Sequence, residues 1–233
     1  MHKLNIRSLP CLGIVSPFRS GGNLLNRLLD SHTQLLTNHS ETFLSVFSNP
    51  IEKSIYKTQR LEKRIRGKID KKKIFQSLIF NDFKHKIAAK SGWIKTKYDK
   101  HINYNYNYKK HYKYFQDSLK LQSNYNYRTI LDIYIISFFK SFGFKNIKKE
   151  IKFFNTYWPN FSISKTNLRN FFELYPDGYL IYIVRNPVQW ASSCKKRKPQ
   201  YFSTSYIKTL YERPILNILH NNNKNILIID FDD

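Results

Sequence analysis

Cys11-Leu12-Gly13-Ile14-Val15-Ser16-Pro17-Phe18-Arg19-Ser20-Gly21-Gly22-Asn23-Leu24-Leu25 is the stretch on which the fold turns. Cys11 to Val15 is a short apolar run of the kind that forms a buried strand. Leu24, Leu25, Leu28 and Leu29 then recur at helical spacing, so a strand over 10–16 leads into a helix over 22–31. The turn of small residues between them points several backbone N–H groups at one spot, which makes it an anion site. A second segment far along the chain has a matching form. Tyr179 to Val184 is an apolar strand ending in Arg185-Asn186-Pro187, and open α/β sheets contact their ligands at strand C-terminal ends. Taken singly, the first segment also reads as a plain strand-to-helix connection and the second as a solvated turn. Their joint occurrence favours a nucleotide-like anion gripped at two points.

The rest of the chain supplies the frame. Residues 34–37 read as a short second strand, and 40–90 as mainly helical and strongly basic, interrupted at Pro50 and Gly67. Tyr104 to Tyr114 alternates Asn, Tyr and Lys without Val or Ile, which favours a surface loop or a disordered excursion. Residues 129–142 form a buried helix ending near Gly143, Ile151 to Phe154 a strand, and Leu168 to Leu174 a helix crossing to the strand at 179–184. Asn225 to Ile229 is the last strand. Strands alternating with helices predict an α/β fold with a parallel sheet and right-handed crossovers. A length of 233 residues suits one such domain over 1–233, with a variable Lys/Tyr/Asn-rich helical or loop insertion at about 45–128.

The Walker A phosphate loop requires Gly, a four-residue spacer, then Gly-Lys-Ser/Thr. Gly21 and Gly22 have no lysine after them and Gly13 sits too early, so an ordinary ATP or GTP hydrolase is disfavoured. The absent lysine, and the lack of a clear magnesium carboxylate, also count against a nucleotide or sugar kinase. What stands here is Arg19-Ser20-Gly21, then Leu24-Leu25, then Leu28-Leu29-Asp30-Ser31-His32. This resembles the 5′-phosphosulfate loop of the sulfotransferases that use 3′-phosphoadenosine 5′-phosphosulfate (PAPS). Tyr175-Pro176-Asp177-Gly178, a strand, Arg185-Asn186-Pro187 and Ser193 resemble the family's 3′-phosphate motif, in which an arginine and a serine eight residues later grip that phosphate. An arginine fork suits phosphate bidentately and a serine hydroxyl adds a donor. Pro187 suits the first turn of the next helix. Asp230-Phe231-Asp232-Asp233 after the last strand resembles the family's late Tyr-Glu-Asp-Leu.

The resemblance covers roughly 10–45 and 129–233 and leaves the basic middle uncovered. It implies a three-layer, mainly parallel sheet of P-loop NTPase-like topology with a helical basic insertion. It implies transfer of a sulfuryl group from PAPS, without a metal, to a hydroxyl of a carbohydrate, tyrosine or small molecule. Arg19 would stabilise the leaving 5′-phosphate and the transferring oxygens, and the backbone of Ser20, Gly21, Gly22 and Asn23 would cradle that phosphate. Arg185 and Ser193 would hold the 3′-phosphate. Glu41, in His39-Ser40-Glu41-Thr42, resembles the base of tyrosylprotein-type members. His39 is its rival, and a carboxylate balancing a helix dipole is an equal reading of Glu41. Several positions depart from the family: Gly22 and Asn23 replace a Ser/Thr pair, Phe18 separates Pro17 from Arg19, and Asn155-Thr156-Tyr157-Trp158-Pro159 replaces Glu-Lys-Thr-Pro.

Composition narrows the partners. Hydrophobic residues make up 41%, too many for a disordered chain. No run of 18 apolar residues suggests a membrane span, and Met1 to Pro10 holds no secretory signal. Cys11 and Cys194 read as a core and a helix residue, with neither disulfide nor metal-ligand spacing, so a reduced, cytoplasmic setting is expected. The net charge of +24 rests on 29 Lys and 11 Arg, and residues 53–120 hold 20 of those against 5 Asp/Glu. Such a block raises the local concentration of anions. The same Lys, Asn, Tyr, Ile and Phe share A/T-rich codons, and a solvated helical face is the commoner meaning. The alternative reading is therefore a degraded sulfotransferase-like protein that binds polyanions such as nucleic acid.

Overall fold

The computed structural model describes residues 8–30, 32–41, 71–72, 74–75, 78, 107–122, 126–141, 150–159, 163–196 and 203–232, with the side chains of 38–41, 159, 204 and 206 outside that set. The chain divides into two compact units. One is Pro10–Ser48 with Lys152–Asp233, the other Met1–Leu9 with Asn49–Ile151.

The first unit is built on β1 (Cys11–Ser16), β2 (Leu35–Glu41), β3 (Phe153–Pro159), β4 (Tyr179–Val184) and β5 (Ile226–Asp230). They form a five-stranded sheet in the order β2-β3-β1-β4-β5, with every pairing parallel. The expected α/β class is therefore the class observed. Central parallel strands are covered on both faces and read as near-continuous apolar runs. That is why β1 and β4 stand out in the sequence: Cys11, Ile14, Val15, Leu180 and Tyr182 are all fully buried.

Side chains alternate between the faces of a strand, and two helices exploit the alternation. On one face Ile14, Tyr157 and Ile183 pack with Leu25 and Leu29 of α1 (Gly22–Leu28 and its C-cap). On the other, Trp158 meets Phe171 of α4 (Lys165–Leu174) edge to face, with ring centroids 4.8 Å apart. The sheet is thus the middle of three layers. Gly13 is required here, because a Cβ at that position would overlap the Trp158 ring.

Two expectations shift. The leucine stripe of α1 is only half inward: Leu25 and Leu29 pack on the core, Leu24 and Leu28 are exposed, and Asn26 is buried. Asn26 Oδ1 accepts a 2.9 Å hydrogen bond from Asn155 Nδ2 on β3, so a polar pair shares the inward face with the two leucines. The same pair explains why β3 runs to Pro159 instead of stopping at Phe154. The backbones of Asn155 and Thr156 lie in register with Leu12 and Gly13, and both side chains are buried.

The segment after β4, for which the sequence suggests only a helix start at Pro187, holds α5 (Pro187–Lys195), the short α6 (Thr204–Ile207), a π-helical turn (Lys208–Glu212) and α7 (Arg213–Leu219). Pro214 has no N–H to continue an α-helical ladder. The chain answers with the wider turn, in which Arg213 N–H reaches Lys208 O.

In the second unit α2 (Tyr108–Lys120) and α3 (Tyr127–Ser141) pack together. The part of Tyr104 to Tyr114 that is described, from Asn107 on, is helix rather than loop. Asn107 caps it by accepting from Lys110 N at 2.9 Å. His111, Phe115, Ser118 and Leu119 then supply a buried stripe at helical spacing, which the local Asn/Tyr/Lys alternation hides. Phe75 sits among Tyr108, His111, Tyr112, Phe115 and Tyr134, with ring centroids 4.7 to 5.8 Å away. The described positions between 71 and 78 are helical, and most of the basic 53–120 block lies outside the described residues. Among the described residues no helix is long and apolar enough to cross a membrane.

Candidate functional site

The strand order puts β1 and β4 side by side, so their C-terminal ends and the loops that follow are neighbours. After Ser16 the chain turns sharply. Ser20 N–H closes onto Pro17 O at 3.2 Å, Arg19 has φ 68° and Gly21 φ 79°. Arg19 is the one described non-glycine residue in the left-handed region, a conformation that costs on the order of 1–2 kcal/mol for an L side chain. Loop strain of this kind persists where surrounding contacts over-determine it.

Those contacts come from the loop after β4. Arg185 Nη1 donates to Arg19 O at 2.8 Å. Trp190 Nε1 of α5 donates to Phe18 O at 2.6 Å. Arg19 Nε donates to Ser193 Oγ at 3.4 Å. Arg19, Arg185 and Ser193, residues from opposite ends of the chain, are therefore gathered into one cluster. Both guanidinium groups bear on Cys194: burial pushes its thiol up, and the charges of Arg19 and Arg185 pull it back down.

Helix α5 starts where Pro187 predicts. Asn186 caps it, its Oδ1 accepting from Val188 N at 2.9 Å and Gln189 N at 3.3 Å. The π-helical turn contributes Tyr211, whose hydroxyl donates to Arg185 O. Burial raises the Tyr211 phenol, the Arg185 carbonyl lowers it, and Asp230 and Asp232 raise it further.

The remaining expected residues divide. Ser20 Oγ is fully buried and meets no hydrogen-bond partner, while its N–H is committed to Pro17 O. Gly22 fits against Ser16 and Tyr157, where a Cβ would overlap Ser16 Oγ. Asn23 is exposed on α1. The backbone of Glu41 ends β2 opposite Tyr157, past a register shift, and β2 lies two strand spacings, about 10 Å, from β1. The side chains of Glu41 and His39 fall outside the described residues.

Three contributors are not among the expected site residues, although two of them, Phe231 and Asp232, lie in the segment that resembles the family's late motif. Asp232 Oδ1 lies 3.6 Å from Arg185 Nε, and its Oδ2 accepts from Asn186 N at 2.8 Å. The Phe231 ring lies under the Arg185 guanidinium, 5.2 Å from centroid to Cζ, and against Gly21, where a Cβ would overlap it. Trp190 is the third. An acidic residue ending one strand becomes meaningful only when the next strand over ends in arginine, and that adjacency is a property of strand order. Among the described residues no three His, Cys, Asp or Glu side chains gather as metal ligands would.

No family model matches the chain, and no curated protein matches it in sequence. Among solved structures it is similar to the sulfotransferase domain from the curacin biosynthetic pathway, at 16% identity over 97% of this chain and 69% of that one, with a TM-score of 0.50. At that identity the likeness is one of fold, and the fold of this chain is sulfotransferase-like.

Proposed function

We propose that the protein transfers a sulfuryl group from PAPS to a hydroxyl acceptor. The observation that carries the reading is the meeting of two arginines and a serine from distant loops beside the C-terminal ends of adjacent parallel strands. A ligand with one phosphate would leave half of that cluster idle. The buried, unpartnered Ser20 Oγ and the left-handed turn at Arg19 and Gly21 fit a phosphate-bearing ligand, because an orphaned buried hydroxyl costs stability unless a bound group supplies its partner.

The donor supplies an activated sulfuryl group. The chain's part is to hold and neutralise. Arg185 and Ser193 bind the 3′-phosphate, and the 21–23 backbone with Ser20 Oγ binds the 5′ end. Arg19 balances the charge that builds on the transferring oxygens, which raises turnover when the interaction strengthens in the transition state. Glu41, with His39 as the competing candidate, takes the acceptor proton. Acceptors of the carbohydrate, tyrosine and small-molecule classes all present the hydroxyl this requires.

Calorimetric titration tests the reading. The spent donor, 3′-phosphoadenosine 5′-phosphate, should bind clearly more tightly than ATP, which lacks the 3′-phosphate. Equal affinity for the two nucleotides would remove the basis for two separate grips.

A further inference from the structure

Arg185 is fastened by this chain's own groups on several sides. Nη1 is bonded to Arg19 O at 2.8 Å, Nε faces Asp232 Oδ1 at 3.6 Å, and the guanidinium plane rests on Phe231. The Arg185 carbonyl accepts from Tyr211. Asp232 in turn ties two partners together, since its second oxygen takes the N–H of Asn186, the residue that follows Arg185. Its own N–H is bonded to Asp230 Oδ1 at 3.0 Å. One carboxylate thus anchors both the side chain of Arg185 and the backbone immediately after it.

A carboxylate beside a cation that must bind an anion weakens the attraction unless it contributes something else. What this one contributes is orientation. It faces the guanidinium at Nε as an ion pair at 3.6 Å, too long for a hydrogen bond, while the Arg19 carbonyl takes an Nη1 hydrogen, and the remaining Nη hydrogens are left for a ligand. The long arginine stem would otherwise lose its rotamer freedom only when the ligand arrives.

We infer that Asp232 is a positioning residue: it aims Arg185 at the 3′-phosphate. This rests on the donor reading proposed above, which does not itself use Asp232.

The test compares 3′-phosphoadenosine 5′-phosphate with adenosine 5′-phosphate by calorimetry. The proteins are wild type, Asp232→Asn, Asp232→Ala, Arg185→Ala and the Arg185→Ala/Asp232→Ala double variant. Asp232→Asn keeps an acceptor for Asn186 N–H and removes only the charge, so it reports even where the alanine variant folds poorly. Either Asp232 substitution should weaken the bisphosphate about three- to fivefold, as suits a partly exposed ion pair, and leave adenosine 5′-phosphate unchanged. Adding Asp232→Ala to Arg185→Ala should cost nothing more. Equal loss for both nucleotides, a loss that adds to that of Arg185→Ala, or tighter binding by Asp232→Asn would each overturn the inference. A wild-type protein that does not prefer the bisphosphate would instead overturn the donor reading itself.

Discussion

His111 offers a prediction whose size follows from the structure. The imidazole is fully buried on α2, ringed by Phe75, Tyr134 and Phe138. Its Nε2–H donates to Tyr134 O at 2.9 Å. Burial drives its pKa from 6.5 down to about 3, against a smaller upward pull from the Tyr134 carbonyl. The folded protein therefore keeps His111 neutral where the unfolded chain takes up a proton. Between pH 6.5 and about 3 the unfolded state binds more protons, so stability falls as pH falls through that window. The slope approaches about 1.4 kcal/mol per pH unit, or about 2.7 kcal/mol lost on reaching roughly pH 4.5. Against a typical total of about 5–15 kcal/mol this is a large fraction. Urea unfolding followed by circular dichroism at neutral pH and at about pH 4.5 measures the loss. His111→Gln, which can still donate to the carbonyl but does not titrate, should be less stable at neutral pH and should lack this part of the acid sensitivity. If wild type and His111→Gln lose the same stability on acidification, the buried neutral imidazole is not the cause.

Two predictions concern the site. Arg19→Ala should lower turnover more than nucleotide affinity, because its interaction grows as charge develops on the transferring group; steady-state kinetics beside calorimetry would show the reverse pattern if Arg19 only binds the ground state. Gly21→Ala should destabilise the protein by about 1–2 kcal/mol through its φ of 79°, with a further cost where the new Cβ meets Phe231. Thermal melts would report it, and adding Phe231→Ala should recover the second part only; full recovery would mean that the backbone conformation is not strained.

Helical and strand periodicity, and the residues that punctuate them, are local properties, and this chain displays them openly. β1 and β4 are apolar runs because strands in the middle of a parallel sheet meet helices on both faces, so no alternation is needed to find them. The Pro187 helix start, the Leu168–Leu174 helix core and the Tyr127–Ser141 helix announce themselves in the same way. Arg19, Arg185 and Ser193 could be proposed together because the two segments that carry them resemble two motifs of one family.

Other features became visible only with the chain folded. Asn26 and Asn155 are polar residues with no apolar period to mark them, and only their burial against each other, 129 positions apart in sequence, makes them core. The helix beginning at Tyr108 is hidden by a two-residue alternation, since its Phe75 and Tyr134 partners come from other segments. Asp232 and Phe231 acquire a role only through the placement of β5 beside β4. Types and periods are written along the chain. Adjacency is not, because strand order depends on which apolar surfaces find each other in three dimensions.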